Sequence, residues 1–133
     1  MILHGKDGID HINIYSKAET KLGRWLTNFA YSEFCVDNLA FKSVEGYWYF
    51  LLSDCKLYDL CYLYGFEAKQ YGKKFCSNKY DDNNIEFKVK IKKAIDEKIK
   101  SDKEMLKLFS ESTLPFCHYY VYGDKKVDAG YDW

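Results

Sequence analysis

The sequence predicts an α+β fold: a mainly helical single domain over residues 1–133, with a short N-terminal hairpin and a small C-terminal extended region. Three observations lead there. A length of 133 residues suits one domain. Between Ser43 and Phe109 the apolar residues recur at helical spacing. On either side of that stretch they come in short β-branched or aromatic runs bounded by turn residues.

Taken in order, Ile12 to Tyr15 reads as a short strand and Ser16 to Gly23 as a polar loop. Phe34 to Val36 and Leu39 to Phe41 flank Asp37-Asn38, a turn pair suited to a hairpin. From Ser43, a good N-cap, the residues Val44, Tyr47, Trp48, Leu51 and Leu52 mark a helix with Glu45 in its first turn. A second helix is expected from about Leu57 through Leu60, Cys61, Tyr64, Ala68 and Tyr71, with Gly65 inside it and Gly72 near its end. Asp81 to Asn84 form a polar loop and cap. The next amphipathic helix follows through Phe87, Ile91, Ala94, Ile95 and Ile99, with Lys88, Lys90, Lys92, Lys93 and Asp96 on its solvated face. Ser101 or Asp102 caps a shorter helix carrying Met105, Leu106, Leu108 and Phe109. Phe116 to Tyr122 reads as a strand, Gly123-Asp124 as a turn, and Lys126 to Trp133 as a second extended segment or an irregular end.

Composition narrows the function classes. Hydrophobic residues make up 47% of the chain and 25 residues are aromatic, enough to build a core and to exclude global disorder. No apolar run approaches the roughly 20 residues of a membrane helix, and the N-terminus has no stretch of signal-peptide type, so a soluble cytoplasmic protein is expected. The 20 basic and 20 acidic residues cancel, which argues against a generic polyanion binder. Residues 69–107 nevertheless carry 12 Lys against seven acids. The single Arg, Arg24, stands out as a candidate anion contact, because Lys does not replace Arg in planar, bidentate recognition. Five widely spaced cysteines (Cys35, Cys55, Cys61, Cys76 and Cys117) form no C-x-x-C pair and read as small buried hydrophobes in a reducing compartment.

Metal ligation finds no support in the spacing of His4, His11 and His118, and no phosphate-binding glycine loop or nucleophile elbow occurs. No cofactor is implied. Carboxylates and lysines are the remaining chemical inventory, with aromatic residues, Trp48 among them, able to line a cleft for a base or ribose. By itself, Glu45 is an ordinary first-turn acid and Lys69 an ordinary lysine near a helix C-terminus.

Motif order adds a resemblance. YSKAETKLGRWLTNF (Tyr15 to Phe29), FCVDNLAFKSVEGYWY (Phe34 to Tyr49) and AKQYG (Ala68 to Gly72) together resemble the NADAR family over roughly residues 12 to 110. The matching points are Tyr15-Ser16, Leu26-Thr27-Asn28-Phe29, Asp37-Asn38, Ser43-Val44-Glu45 and the Ala-Lys pair at Ala68-Lys69. The resemblance implies an N-glycosidase that removes ADP-ribose from guanine in nucleic acid, or acts on riboflavin-pathway intermediates, without metal. It pairs Glu45 with Lys69 as catalytic residues and places Asn28 and Arg24 near the ligand, for which Trp48 is a further candidate contact. A lysine in this role captures the sugar C1 as a Schiff base while a carboxylate moves protons.

Three departures accompany the resemblance. Gly46 stands where the family has His, and the late acid is Asp128 or Asp132, with Asp128 favoured as a third catalytic group. The tail from Ser112 to Gly123 differs from the family's common ending and looks like a variant branch. Lys-heavy, Arg-poor usage is compatible with a phage-encoded protein, for which the compartment would be the host cytoplasm. The expected partner is ADP-ribosylated nucleic acid or an ADP-ribose-like small molecule. The alternative is a module that binds such a nucleotide without turning it over.

Overall fold

A run of two strands and the helices that follow them, beginning at Phe34, builds most of the core. In the computed structural model, which describes residues 6–122 and 125–128, Phe34–Val36 (β2) pairs antiparallel with Leu39–Phe41 (β3), Phe34 opposite Phe41. An earlier strand, Ile12–Asn13 (β1), and helix, Lys21–Trp25 (α1), are taken up below. Asp37 and Asn38 make the hairpin's two-residue turn at φ 53° and 63°. Short polar side chains tolerate that left-handed backbone, whose twist matches the strands it joins. Strand alternation turns Phe34 and Val36 inward and Cys35 out to solvent. Cys35 and Cys55 are exposed and Cys76 and Cys117 half-buried, which corrects the expectation of five buried thiols; none of the five forms a disulfide.

Val44–Leu52 (α2) starts as its sequence predicts. Ser43 is extended, and its Oγ accepts from the Gly46 N–H at 3.0 Å. The same hydroxyl donates to the Leu63 carbonyl at 2.9 Å, so one buried cap also fixes a later segment. Val44, Tyr47 and Phe50 are the buried face, and the Tyr47 hydroxyl donates to Asp37 at 2.8 Å, tying the helix to the hairpin turn.

The single helix expected from Leu57 to Tyr71 is two elements. A 3-10 helix spans Tyr58–Tyr62, the chain extends at Leu63 and Tyr64, and a new helix runs over Gly65–Phe75 (α3). The break has local causes. Ser43 holds the Leu63 carbonyl, the Phe29 carbonyl accepts from the Gly65 N–H at 2.8 Å, and Gly65 sits at φ +63°, where a side chain would be strained. Leu60 in the 3-10 helix is fully buried.

Ile85–Ser101 (α4) is capped by Asn84, whose side chain accepts from the Phe87 N–H at 3.0 Å. Its inner stripe, Phe87, Ile91 and Ala94, joins Phe34, Phe41, Val44, Tyr47 and Phe50 in one core. The next position on that stripe is Lys98, 1% exposed. Burial pushes its ammonium down to about 7. The following helix, Lys103–Glu111 (α5), is capped by Asp102, which accepts from Met105 N–H at 3.1 Å.

These elements from Asn28 to Leu106 form one compact unit, and the described parts of Met1–Thr27 and Lys107–Trp133 form a second. In the second, β1 pairs in parallel with Phe116–Cys117 (β4). Tyr119–Tyr122 (β5) pairs antiparallel with Lys125–Asp128 (β6). The strand expected over Phe116 to Tyr122 is therefore broken at His118. Asn13 is the reason: its side-chain amide donates to the Tyr119 carbonyl at 3.1 Å and accepts the Tyr119 N–H at 3.0 Å, replacing ladder bonds at the point where the chain changes partner. The predicted Gly123-Asp124 turn lies outside the described residues.

Sequence reading also missed α1 within its polar loop. Thr20 caps it, accepting from Gly23 N–H at 2.9 Å, and a Cβ on Gly23 would stand 2.2 Å from the Asn13 carbonyl, so glycine permits the close approach of α1 to β1. Buried His11 hydrogen-bonds Tyr119 through Nε2 and the Tyr119 hydroxyl. Helices dominate and the strands are short, so the architecture is α+β as predicted. Among the described residues no helix is long and apolar enough to cross a membrane.

Candidate functional site

Two backbone bonds bring the predicted pair together. The Asn28 carbonyl accepts from the Glu45 N–H at 2.8 Å, and the next carbonyl, Phe29, accepts from the Gly65 N–H at 2.8 Å. Residues 28 and 29 thus clamp the N-terminal ends of α2 and α3. A full helical turn into α3, Lys69 returns to this clamp, with its Nζ 5.8 Å from the centroid of the Phe29 ring. An ammonium over an aromatic face is held by the ring quadrupole.

Glu45 is half-buried beside this cation. Burial raises its carboxyl to about 7, against the lowering influence of Lys69 and then Lys73. Desolvation is the larger effect, so near neutral pH the group exists in both protonation states. Among the described residues no ion pair within 4.0 Å joins it to either lysine. The arrangement is a carboxyl able to give or take a proton, with ammonium groups acting on it through space.

Close packing fixes the two helices relative to each other. A Cβ on Gly72 would lie 2.1 Å from Tyr49 Cγ, so α3 rests on the Tyr49 ring of α2 through a glycine. On α2 itself, a Cβ on Gly46 would lie 2.4 Å from the Leu60 carbonyl oxygen and 3.2 Å from that of Leu63. The 3-10 helix therefore occupies the place that a side chain after Glu45 would need. Gly46, the departure from the resembled motif, has a steric cause in this fold.

The other predicted residues are placed as follows. Asn28 is half-buried and contributes its backbone to the clamp. Trp48, expected at the ligand, packs in an aromatic cluster with Tyr80 (centroids 4.7 Å apart) and Phe87 (4.8 Å). Arg24 is exposed on α1 and donates from Nη1 to the Ala18 carbonyl at 2.7 Å. Asp128 ends β6 opposite Tyr119. Asp132 lies outside the described residues. Sequence reading missed Phe29 as the ring beneath Lys69, although it closes the quoted Leu-Thr-Asn-Phe stretch. It also missed Lys73, which the i, i+4 spacing from Lys69 on a helix could have revealed.

Among the described residues no group of three or more His, Cys, Asp or Glu side chains is placed to hold a metal ion. Comparison with models of known protein families, with curated proteins and with solved structures finds no match.

Proposed function

We propose that the chain is an N-glycosidase that removes ADP-ribose from ADP-ribosylated guanine in nucleic acid, with Glu45 and Lys69 as its catalytic residues. The observation that carries this reading is the carboxyl of Glu45, raised to about 7 by burial and within electrostatic reach of Lys69. The motif order resembling the NADAR family supplies the substrate class.

In this reading protonated Glu45 donates to the guanine nitrogen as the C1–N bond breaks, and the bonding electrons leave with the base. Lys69 gives its ammonium proton to solvent, bonds to C1 through the freed lone pair, and loses a second proton to the Glu45 carboxylate. The sugar ring opens as its oxygen takes that proton, leaving a C=N bond between C1 and Nζ. Water adds to this bond, releasing ADP-ribose and restoring the amine. Asn28, Arg24 and Asp128 are proposed ligand or acid positions on the motif alone, Trp48 is a proposed aromatic ligand contact, and the cytoplasm is the proposed compartment.

A second reading, a nucleotide-binding module without turnover, is favoured by Gly46, which leaves no side chain where the resembled family carries His. Incubating the protein with an oligonucleotide bearing ADP-ribose on guanine separates the two. Loss of the ADP-ribose mass supports hydrolysis. Tight retention of the ligand with no product over hours supports the binding module, and cleavage of a riboflavin-pathway N-glycoside alone moves the substrate to that class.

A further inference from the structure

Next to the clamp at Phe29 and Gly65 the protein exposes aromatic rings that its own core does not use. Tyr31, two residues beyond Phe29, is 51% exposed, and Tyr64, immediately before Gly65, is 50% exposed. Their rings meet edge to face, with centroids 5.1 Å apart and planes at 79°. In such a pair the ring that presents its edge keeps its own faces clear of its partner. Tyr62 and Phe66 extend the exposed run to either side of Tyr64. Scattered exposed aromatics are ordinary, but Tyr31 and Tyr64 are in contact with each other and lie beside the candidate site.

The charges around these rings say what kind of partner fits. Lys42, just after β3, holds its Nζ 6.0 Å from the centre of the Tyr31 ring, while Lys69 stands over Phe29. Aromatic faces interleaved with lysines match the two components of a single strand of nucleic acid, stacked bases and phosphates. One carboxylate, Glu33, is committed to the Tyr31 hydroxyl, which donates to it at 3.0 Å.

We propose that Tyr31 and Tyr64, with Lys42, form a stacking subsite for single-stranded nucleic acid, holding a base that flanks the one presented to Glu45 and Lys69. The position of the target base rests on the glycosidase reading; the affinity of the aromatic pair for an unmodified strand does not. Stacking is tolerant of sequence, because every base has a π-face, and the lysine contribution is weakened by salt.

The test is binding of a fluorescein-labelled, unmodified 12-mer of thymidine, followed by anisotropy at low salt. Wild type is expected to bind it, Tyr31→Ala and Tyr64→Ala each to weaken binding about tenfold, and Tyr31→Phe and Tyr64→Phe to retain it. Lys42→Gln is expected to weaken binding and flatten its salt dependence. Both tyrosines are half-exposed, so the fold tolerates these changes. No binding by wild type, unchanged binding by the Tyr31→Ala/Tyr64→Ala double variant, or loss in the Phe variants would overturn the proposal. Capture of a proline-rich peptide in place of the strand would overturn it in favour of a protein partner. Oligonucleotide binding without any release of ADP-ribose removes the glycosidase reading and leaves this subsite standing. Cleavage of an ADP-ribosylated mononucleoside without strand binding does the reverse.

Discussion

Lys69 of α3 and Glu45 of α2 meet at the Asn28-Phe29 clamp, where the lysine's charge opposes the burial that lifts the carboxyl to about 7. Neither residue is unusual in its own helix. Their juxtaposition comes from two backbone carbonyls and a glycine contact, so the chemistry proposed for the pair depends on how α2 and α3 are held.

Glu45 should leave a pH signature in stability. Its folded value lies above the unfolded carboxyl value of 4.5, so the folded state binds the extra proton between 4.5 and about 7. The resulting contribution is full below 4.5 and is lost as pH rises through about 7. Its size is at most about 3 kcal/mol, from the free energy of a pKa shift. Glu45→Gln is expected to remove this fall between pH 4.5 and 7, as followed by urea denaturation at a series of pH values.

Lys98 should act in the next pH range. Burial depresses it from 10.5 to about 7, so the unfolded state binds the additional proton between those values and stability rises with pH across them. Lys98→Met keeps the length of the side chain on the buried stripe of α4. It is expected to abolish the alkaline rise, measured by the same denaturation series.

Gly46 should resist replacement by the histidine of the resembled motif. A Cβ there meets the Leu60 carbonyl at 2.4 Å, a backbone atom that cannot swing aside. Overpacking of this kind costs about 1–3 kcal/mol, so Gly46→Ala is expected to lower the melting temperature despite alanine's better helix propensity, and Gly46→His to lower it further.

Gly72→Ala tests the contact that seats α3 on α2. The new methyl overlaps Tyr49 at 2.1 Å, forcing the ring or the helix to move. Expected are a stability loss of about 1–3 kcal/mol and a fall in turnover larger than the rise in KM. Tyr49→Leu in the same chain should recover part of both by giving the methyl room.

The legible parts of the sequence were those set by local chemistry. Ser43 and Asn84 announced their helices as caps, and Asp37-Asn38 announced the hairpin turn. The illegible parts depended on distant partners. Nothing near Leu63 reveals that Ser43 will claim its carbonyl and end a helix, and nothing near His118 reveals that Asn13 will claim Tyr119. The Lys98 burial follows the apolar stripe past Ala94, but a lysine at that place reads as surface until its surroundings are known. At the site, motif order put Glu45 and Lys69 together, whereas the packing of Tyr80 and Phe87 on Trp48 has no sign in the sequence, because the three rings come from separate segments.

The most direct test is reductive trapping during turnover. Wild type mixed with an oligonucleotide carrying ADP-ribose on guanine is treated with cyanoborohydride, digested and mapped by mass. A reduced ADP-ribose adduct is expected on the peptide containing Lys69, absent in Lys69→Ala and formed at least about a hundredfold more slowly in Glu45→Gln, in keeping with the usual contribution of a general acid. An adduct elsewhere, or undiminished release of ADP-ribose by Lys69→Ala, would contradict the proposed mechanism.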